Sequence, residues 1–188
     1  MILWDRLGRR GEGFRYMEAF LAKQFCPLII ETGCVRELNN WEGDGQSTIV
    51  LADFAQRFKG RLYSVDNDPE AVQTVNAVMT GNVTSVACED SIQWLTVSSI
   101  ALGAQKVDLL YLDSLDVYPE NPHPAALHAL MELTAIAPSL RHGSMVFVDD
   151  NFIQPDASFI GKGQYIGEFM KRSGREQVYT GYQMGWRW

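Results

Sequence analysis

Val107-Asp108-Leu109-Leu110-Tyr111-Leu112-Asp113 is the stretch that decides the fold. It is apolar on both faces and stops abruptly at an acid. A strand apolar on both faces must be covered on both faces, which is the habit of parallel sheets flanked by helices. Ser144 to Val148 repeats the pattern and runs into Asp149, Asp150 and Asn151.

Upstream, the same alternation recurs. Pro27 to Ile30 reads as a short buried strand, Leu62 to Val65 as a second and Val83 to Cys88 as a third. Helical patterns lie between them. Phe14, Met17, Phe20, Leu21 and Phe25 fall at helical spacing, and Ser47 opens a helix that carries Val50, Leu51, Phe54, Ala55 and Phe58 on one face until Gly60. Asp68-Pro69 is a capped helix start that Gly81 closes, and Asp90 with Gln93 forms another start. Pro124 to Ala137 and Lys162 to Arg172 are the later helices. Glu176 to Thr180 and Gln183 to Trp188 read as an antiparallel pair that belongs to the sheet. The expectation is an α/β fold: a doubly wound, Rossmann-like sheet, mostly parallel, with a C-terminal antiparallel strand pair. Residues 1–188 form a single domain in this reading, with 1–26 as an N-terminal helical segment.

The charge balance narrows the function. Lys and Arg total 16 against 23 Asp and Glu, a net charge of −7. A field of that sign repels a phosphate backbone, so no nucleic-acid partner is expected. No apolar run approaches the ~18 residues of a membrane span, and the first residues lack the apolar core of a signal peptide. Cys26, Cys34 and Cys88 are odd in number and have no paired spacing, which points to a reducing, cytoplasmic setting.

Parallel sheets bind ligands beyond the carboxyl ends of their strands. There the sequence places Glu31-Thr32-Gly33, then Gly43-Asp44-Gly45-Gln46-Ser47 into a helix, then Asp66, then Glu89-Asp90-Ser91, then Asp113 with Asp116 and Tyr118 close behind, and last Asp149-Asp150-Asn151. Each strand end presents an acid. Single cases have plain readings: Asp68 as a cap, Asp90 as cap or contact, any one Asp as a turn residue. Together, carboxylates crowding one sheet edge repel one another unless a cation or a proton neutralises them. A hard divalent ion with oxygen ligands is one such partner.

In order and spacing these segments resemble the class I S-adenosylmethionine-dependent methyltransferases, from about Ile29 to Asn151. The resemblance implies cofactor binding by Glu31, Gly33, Gly45, Ser47, Asp66, Asp90 and Asp113, with Asp66 on the ribose. Two subfamilies are nearer. Asp113, Asp150 and Asn151 match the Mg²⁺ ligands of the cation-dependent catechol and caffeoyl-CoA O-methyltransferases. Asp113, Asp116, Tyr118, Asp149 and Asp150 partly fit the macrocin-type sugar O-methyltransferases. The implied activity is Mg²⁺-assisted methyl transfer to a hydroxyl of a small molecule. Alternatives are metal-independent transfer to N or C, or a non-catalytic binding module on the same fold.

The sequence departs from the catechol pattern just after Asp113, where Ser114-Leu115-Asp116 replaces the expected lysine. Asp113, Asp116 and His123 are therefore the candidate catalytic groups, His123 also reading as a solvent-exposed residue between two prolines. Asp149 reads as either a metal ligand or a support for one. The loop from Gly33 to Gly45 reads as a lid or a variable connection. With no large extension or inserted domain, the pocket is expected to be roofed by short loops or by another subunit, as in a homodimer.

Overall fold

The computed structural model describes residues 4–43, 46–79, 83–103, 106–156 and 158–188. A 3₁₀ segment, Trp4–Arg10, leads into α1 (Gly11–Leu21). There follow β1 (Leu28–Thr32), α2 (Ser47–Arg57), β2 (Arg61–Asp66), α3 (Pro69–Val78), β3 (Thr84–Cys88) and α4 (Ser91–Leu102). Then come β4 (Val107–Leu112), α5 (His123–Ile136), β5 (Leu140–Val148), β6 (Asn151–Ile153), β7 (Phe159–Gly161), α6 (Gln164–Arg172), β8 (Glu176–Thr180) and β9 (Met184–Arg187). Seven strands form one sheet in the order β3-β2-β1-β4-β5-β9-β8, and β6 and β7 form a separate hairpin. Strands β3, β2, β1, β4 and β5 are mutually parallel, while β9 runs antiparallel to both β5 and β8.

The decisive strand behaves as its composition demands. All six residues of β4 are buried. Leu109 and Tyr111 face one layer, packed with Phe14, Met17 and Leu21 of α1 and Val50, Leu51 and Phe54 of α2. Leu110 and Leu112 face the other, against Leu133 and Ile136 of α5 and Ile166 and Met170 of α6. Successive side chains of a strand point to opposite faces, so the apolar run from Leu109 to Leu112 supplies both cores at once.

Helix starts follow local chemistry. The Asp68 carboxylate accepts from Glu70 N at 2.9 Å with Pro69 in the first turn, and Asp90 Oδ1 accepts from Gln93 N at 2.9 Å. Each satisfies a backbone donor the helix leaves unpaired. The α4 helix stops at Gly103, whose φ of +71° suits glycine. The C-terminal pair joins the main sheet as expected, with Trp186 only 2% exposed.

Some expectations need correcting. The α1 helix ends at Leu21, and Phe25 lies beyond it, 95% exposed. Strand β5 begins at Leu140, four residues before Ser144. The β6–β7 hairpin was not anticipated, because three-residue strands carry too short a pattern to read. Gly81 lies outside the described residues. All three cysteines are free thiols. Among the described residues no helix is long and apolar enough to cross a membrane.

Candidate functional site

The carboxyl ends of β1, β2, β4 and β5 open onto a cleft of about 450 Å³, within the range of small-ligand sites. Gly33, Asp66, Ser91, Asp113, Asp150 and Tyr182 are among its lining residues. Two non-glycine residues of this lining, Leu115 (φ +47°) and Asp150 (φ +54°), hold left-handed backbone, a strain that persists where the surroundings dictate it.

One half of the cleft lies over β1 and β2. Asp66 Oδ2 accepts from Cys34 N at 2.7 Å and its Oδ1 from Asp68 N at 2.9 Å. These two bonds fix the carboxylate at the rim while leaving it further lone pairs. Asp90 and Ser91 close this half. Ser91 Oγ meets His128 Nε2 at 3.1 Å, and the same nitrogen lies 3.3 Å from Glu132 Oε1. Buried Glu132 also accepts from Ser114 Oγ (2.5 Å) and Thr32 Oγ1 (3.2 Å). Its hydrogen bond raises the His128 pKa above the usual histidine value, against the opposing effect of burial.

Two expected cofactor residues sit behind this surface. Glu31 is fully buried, and its Oε2 accepts from Ser64 Oγ at 2.6 Å. Its Oε1 takes no hydrogen bond from the described residues. Burial pushes its carboxyl up to about 7, and the Ser47, Ser64 and Thr48 hydroxyls limit the rise. Ser47 is buried at the start of α2. Gly45 lies outside the described residues. Farther along, Gln46 staples the Gly33–Gly45 loop, its Nε2 donating to Glu37 O at 2.7 Å and its Oε1 accepting from Asn39 N at 3.1 Å.

The other half is an acid cluster held by two internal cations. Asp113, Asp149 and Asp150 carry carboxylate oxygens within 4.8 Å of one another. Lys162 Nζ donates to Asp113 Oδ1 (2.7 Å), Asp113 O (3.1 Å) and Asp150 Oδ2 (2.8 Å). An ammonium has three donors, and all three are used. Arg10 Nε donates to Asp149 Oδ2 at 2.6 Å and its NH2 to Asp150 Oδ1 at 3.2 Å. Asp149 also accepts from the Tyr111 hydroxyl (2.8 Å) and Asp150 N (2.9 Å), so it braces the floor from beneath. The Tyr182 hydroxyl donates to Asp150 Oδ1, and its ring lies under the guanidinium groups of Arg9 and Arg10.

Three acids against two cations leave the cluster one positive charge short, and the shortfall is expressed unequally. Burial raises the Asp113 pKa, with Lys162 opposing and Asp149 and Asp150 adding to the rise. Burial also works against Asp150, but the Lys162 ammonium, the Tyr182 hydroxyl and Arg10 outweigh it and hold the carboxyl below the usual range.

Two of the three expected Mg²⁺ ligands, Asp113 and Asp150, come together, with the Lys162 ammonium between them. Asn151 is buried with its amide committed: Nδ2 donates to Val148 O (2.9 Å) and Asp149 O (3.0 Å), and Oδ1 accepts from Gly163 N (2.8 Å). It braces the base of the β6–β7 hairpin. The facing oxygens of Asp113 and Asp150 are bridged by Lys162.

The catalytic candidates separate. Asp113 lines the cleft, and its Oδ2 takes no hydrogen bond from the described residues. Asp116 lines the rim and pairs with Arg36 at 3.1 Å, both exposed. His123 is not part of the lining; it opens α5, stacks on Tyr165 and meets its hydroxyl at 2.7 Å. The residues that sequence reasoning missed are Lys162, Arg10, Tyr182 and the His128–Glu132 pair. A lone lysine in Gly161-Lys162-Gly163 was the available signal for the first.

Comparison with known proteins agrees with this layout. A family model described as a methyltransferase domain matches residues 43–151. No curated protein matches the chain by sequence. A putative rRNA-methylase from Clostridium thermocellum is similar in structure at 12% identity and TM-score 0.58, covering 95% of this chain and 96% of that one. A SAM-dependent methyltransferase from Aquifex aeolicus matches at 12% identity and TM-score 0.57, over 99% and 97% of the two chains. The MycE methyltransferase of the mycinamycin pathway, in complex with Mg and SAH, matches at 14% identity and TM-score 0.59, over 94% of this chain and 48% of that one. Two further matched structures are also much longer, the chain spanning 44% and 42% of them. At these identities the likeness is one of fold.

Proposed function

This chain belongs to the methyltransferase-domain family, and on that footing we propose that it transfers the methyl group of S-adenosylmethionine to a hydroxyl of a small molecule bound in the cleft. The observation that carries the reading is the convergence of Gly33, Asp66, Asp90, Ser91 and Asp113 on one cavity of small-ligand size at the carboxyl edge. The donor set suits the cofactor: a fixed carboxylate, Asp66, for a ribose diol, polar groups at Asp90 and Ser91, and backbone at Gly33 that a ligand can approach closely.

When bound, S-adenosylmethionine supplies an activated sulfonium methyl, so the protein's task is to hold and deprotonate the acceptor. Asp113 is in the lining, its Oδ2 takes no hydrogen bond from the described residues, and it is the group we assign to take the acceptor's hydroxyl proton. Lys162 holds the other oxygen of the same carboxylate and so fixes its orientation. Phe152 and Tyr182, edge to face at 5.9 Å, flank the acceptor half. Asp66, Asp68, Asp90, Asp113, Asp116 and Asp150 around the opening favour a neutral or cationic small molecule over a nucleic acid.

Calorimetric titration of S-adenosylmethionine, followed by transfer of a labelled methyl group across a panel of hydroxylated small molecules, tests the reading. Binding at one site and label in an ether product are expected. A folded protein that binds neither S-adenosylmethionine nor S-adenosylhomocysteine would overturn it.

A further inference from the structure

The cleft floor has the acids of a metal site but carries its own cation. Asp113 and Asp150 come from the ends of neighbouring parallel strands, as a pair of ligands to one ion would. Between them stands the Lys162 ammonium, 1% exposed, with every donor engaged. Its position is built by the backbone. Strands β6 and β7 pair antiparallel, Asn151 pairs with Gly161 across their base, and Asn151 Oδ1 holds Gly163 N. Lys162 N also reaches back to Asp150 O at 3.4 Å. A Cβ on Gly161 would fall 2.2 Å from Asp150 O, so the chain passes tightly against Asp150 just before Lys162. The hairpin thus delivers one side chain to one place.

We propose that Lys162 stands in for a divalent cation: its ammonium occupies the position between Asp113 and Asp150 and makes the site independent of metal. The residue that would have completed a metal site has been put to other use, the Asn151 amide bracing the hairpin that carries the lysine. Charge supports the substitution. With Lys162 and Arg10 in place the three carboxylates keep a residual charge of about minus one, too little to reward the dehydration of a second, divalent ion. Without Lys162 the residue would be about minus two, the charge that one such ion neutralises. Lys162 lies beyond the residues the family model matches, so the motif alone reads as a metal site and the hairpin changes that meaning. The lysine acts through the carboxylates as a positioning residue.

The test is Mn²⁺ binding read by electron paramagnetic resonance, which needs neither cofactor nor acceptor and so is separate from the methyl-transfer reading. Wild type should leave the signal of millimolar Mn²⁺ unchanged. Lys162→Ala, with Lys162→Met as the variant that preserves packing, should take up one Mn²⁺ per chain, and adding Asp150→Asn should abolish that uptake. Saturable binding to wild type that Asp150→Asn removes would overturn the proposal. So would folded Lys162→Ala and Lys162→Met proteins that both bind none. Where an acceptor is known, undiminished methyl transfer in excess EDTA supports the proposal, and loss of transfer restored by Mg²⁺ overturns it.

Discussion

Gly33 and Asp113 are in backbone contact: a Cβ at position 33 would lie 2.5 Å from the Asp113 carbonyl oxygen. Gly33 also holds a φ of +83°. Gly33→Ala therefore meets both a left-handed backbone penalty of about 1–2 kcal/mol and a clash that side-chain movement cannot relieve. The ends of β1 and β4 must part, in the floor of the cleft. The variant is expected to melt at lower temperature and to lose cofactor affinity together, checked by calorimetry of unfolding and of binding. An alanine variant with native stability would contradict the tight approach.

Asp66 is the second test. Removing a charge-assisted contact costs roughly 1.5–3 kcal/mol, on the order of 10- to 150-fold in affinity. Asp66→Ala should weaken S-adenosylmethionine binding by that factor. Because Asp66 also accepts from Cys34 N and Asp68 N, the alanine variant should lose some stability as well. Asp66→Asn keeps an acceptor for the turn and separates the two effects. Unchanged affinity in a folded Asp66→Ala protein removes the ribose role.

Glu31 gives the fold a pH dependence of known sign. Its carboxyl is raised from 4.5 to about 7 in the folded chain, so folding favours the neutral form. The stability this contributes is whole below about pH 4.5 and is lost as pH rises through about 7, with a total on the order of 3 kcal/mol. Glu31→Gln fixes the neutral state. Urea unfolding should show the variant gaining on wild type between pH 5 and pH 8. Parallel pH profiles would show that Glu31 is ionised in the native protein.

Trp186 tests the sheet. It is 2% exposed and packs in the core that contains Val146, Ile166 and Met170. Trp186→Ala should cost about 3–5 kcal/mol. Ending the chain after Thr180 removes β9, uncovers the β5 edge and strips Gln183 from the Tyr111 hydroxyl. That product is expected to aggregate, as measured by light scattering.

The readable part of this molecule is the part written in local pattern. Val107 to Leu112 is a strand over the same six residues that its apolar run suggested, and Asp68 and Asp90 cap the helices they were expected to cap. Asp66 and Asp113 were legible because strand ends converge in a parallel sheet whatever lies between them. Lys162 was not, since it reaches Asp113 across 49 residues through a hairpin too short to leave a pattern. Arg10 is 139 residues from Asp149 and enters on a 3₁₀ segment with no amphipathic signature. A charge partner at that range is set by tertiary placement, and composition records only that acids outnumber bases.

The strand order also bears on how the chain is made. Of the described strands β9 is the last in sequence, yet it lies inside the sheet, between β5 and β8. The first five strands can pair as they emerge, each with a neighbour already synthesised or the next to arrive. β5 then waits with one flank open while the hairpin, α6 and β8 are synthesised, and β8 has no partner until β9 slots between them. At ~5–20 residues per second, the interval between the end of β5 and the end of β9 lasts seconds. During that interval the nascent chain displays an unpaired, apolar strand edge, and synthesis of β9 bounds how early the sheet can close.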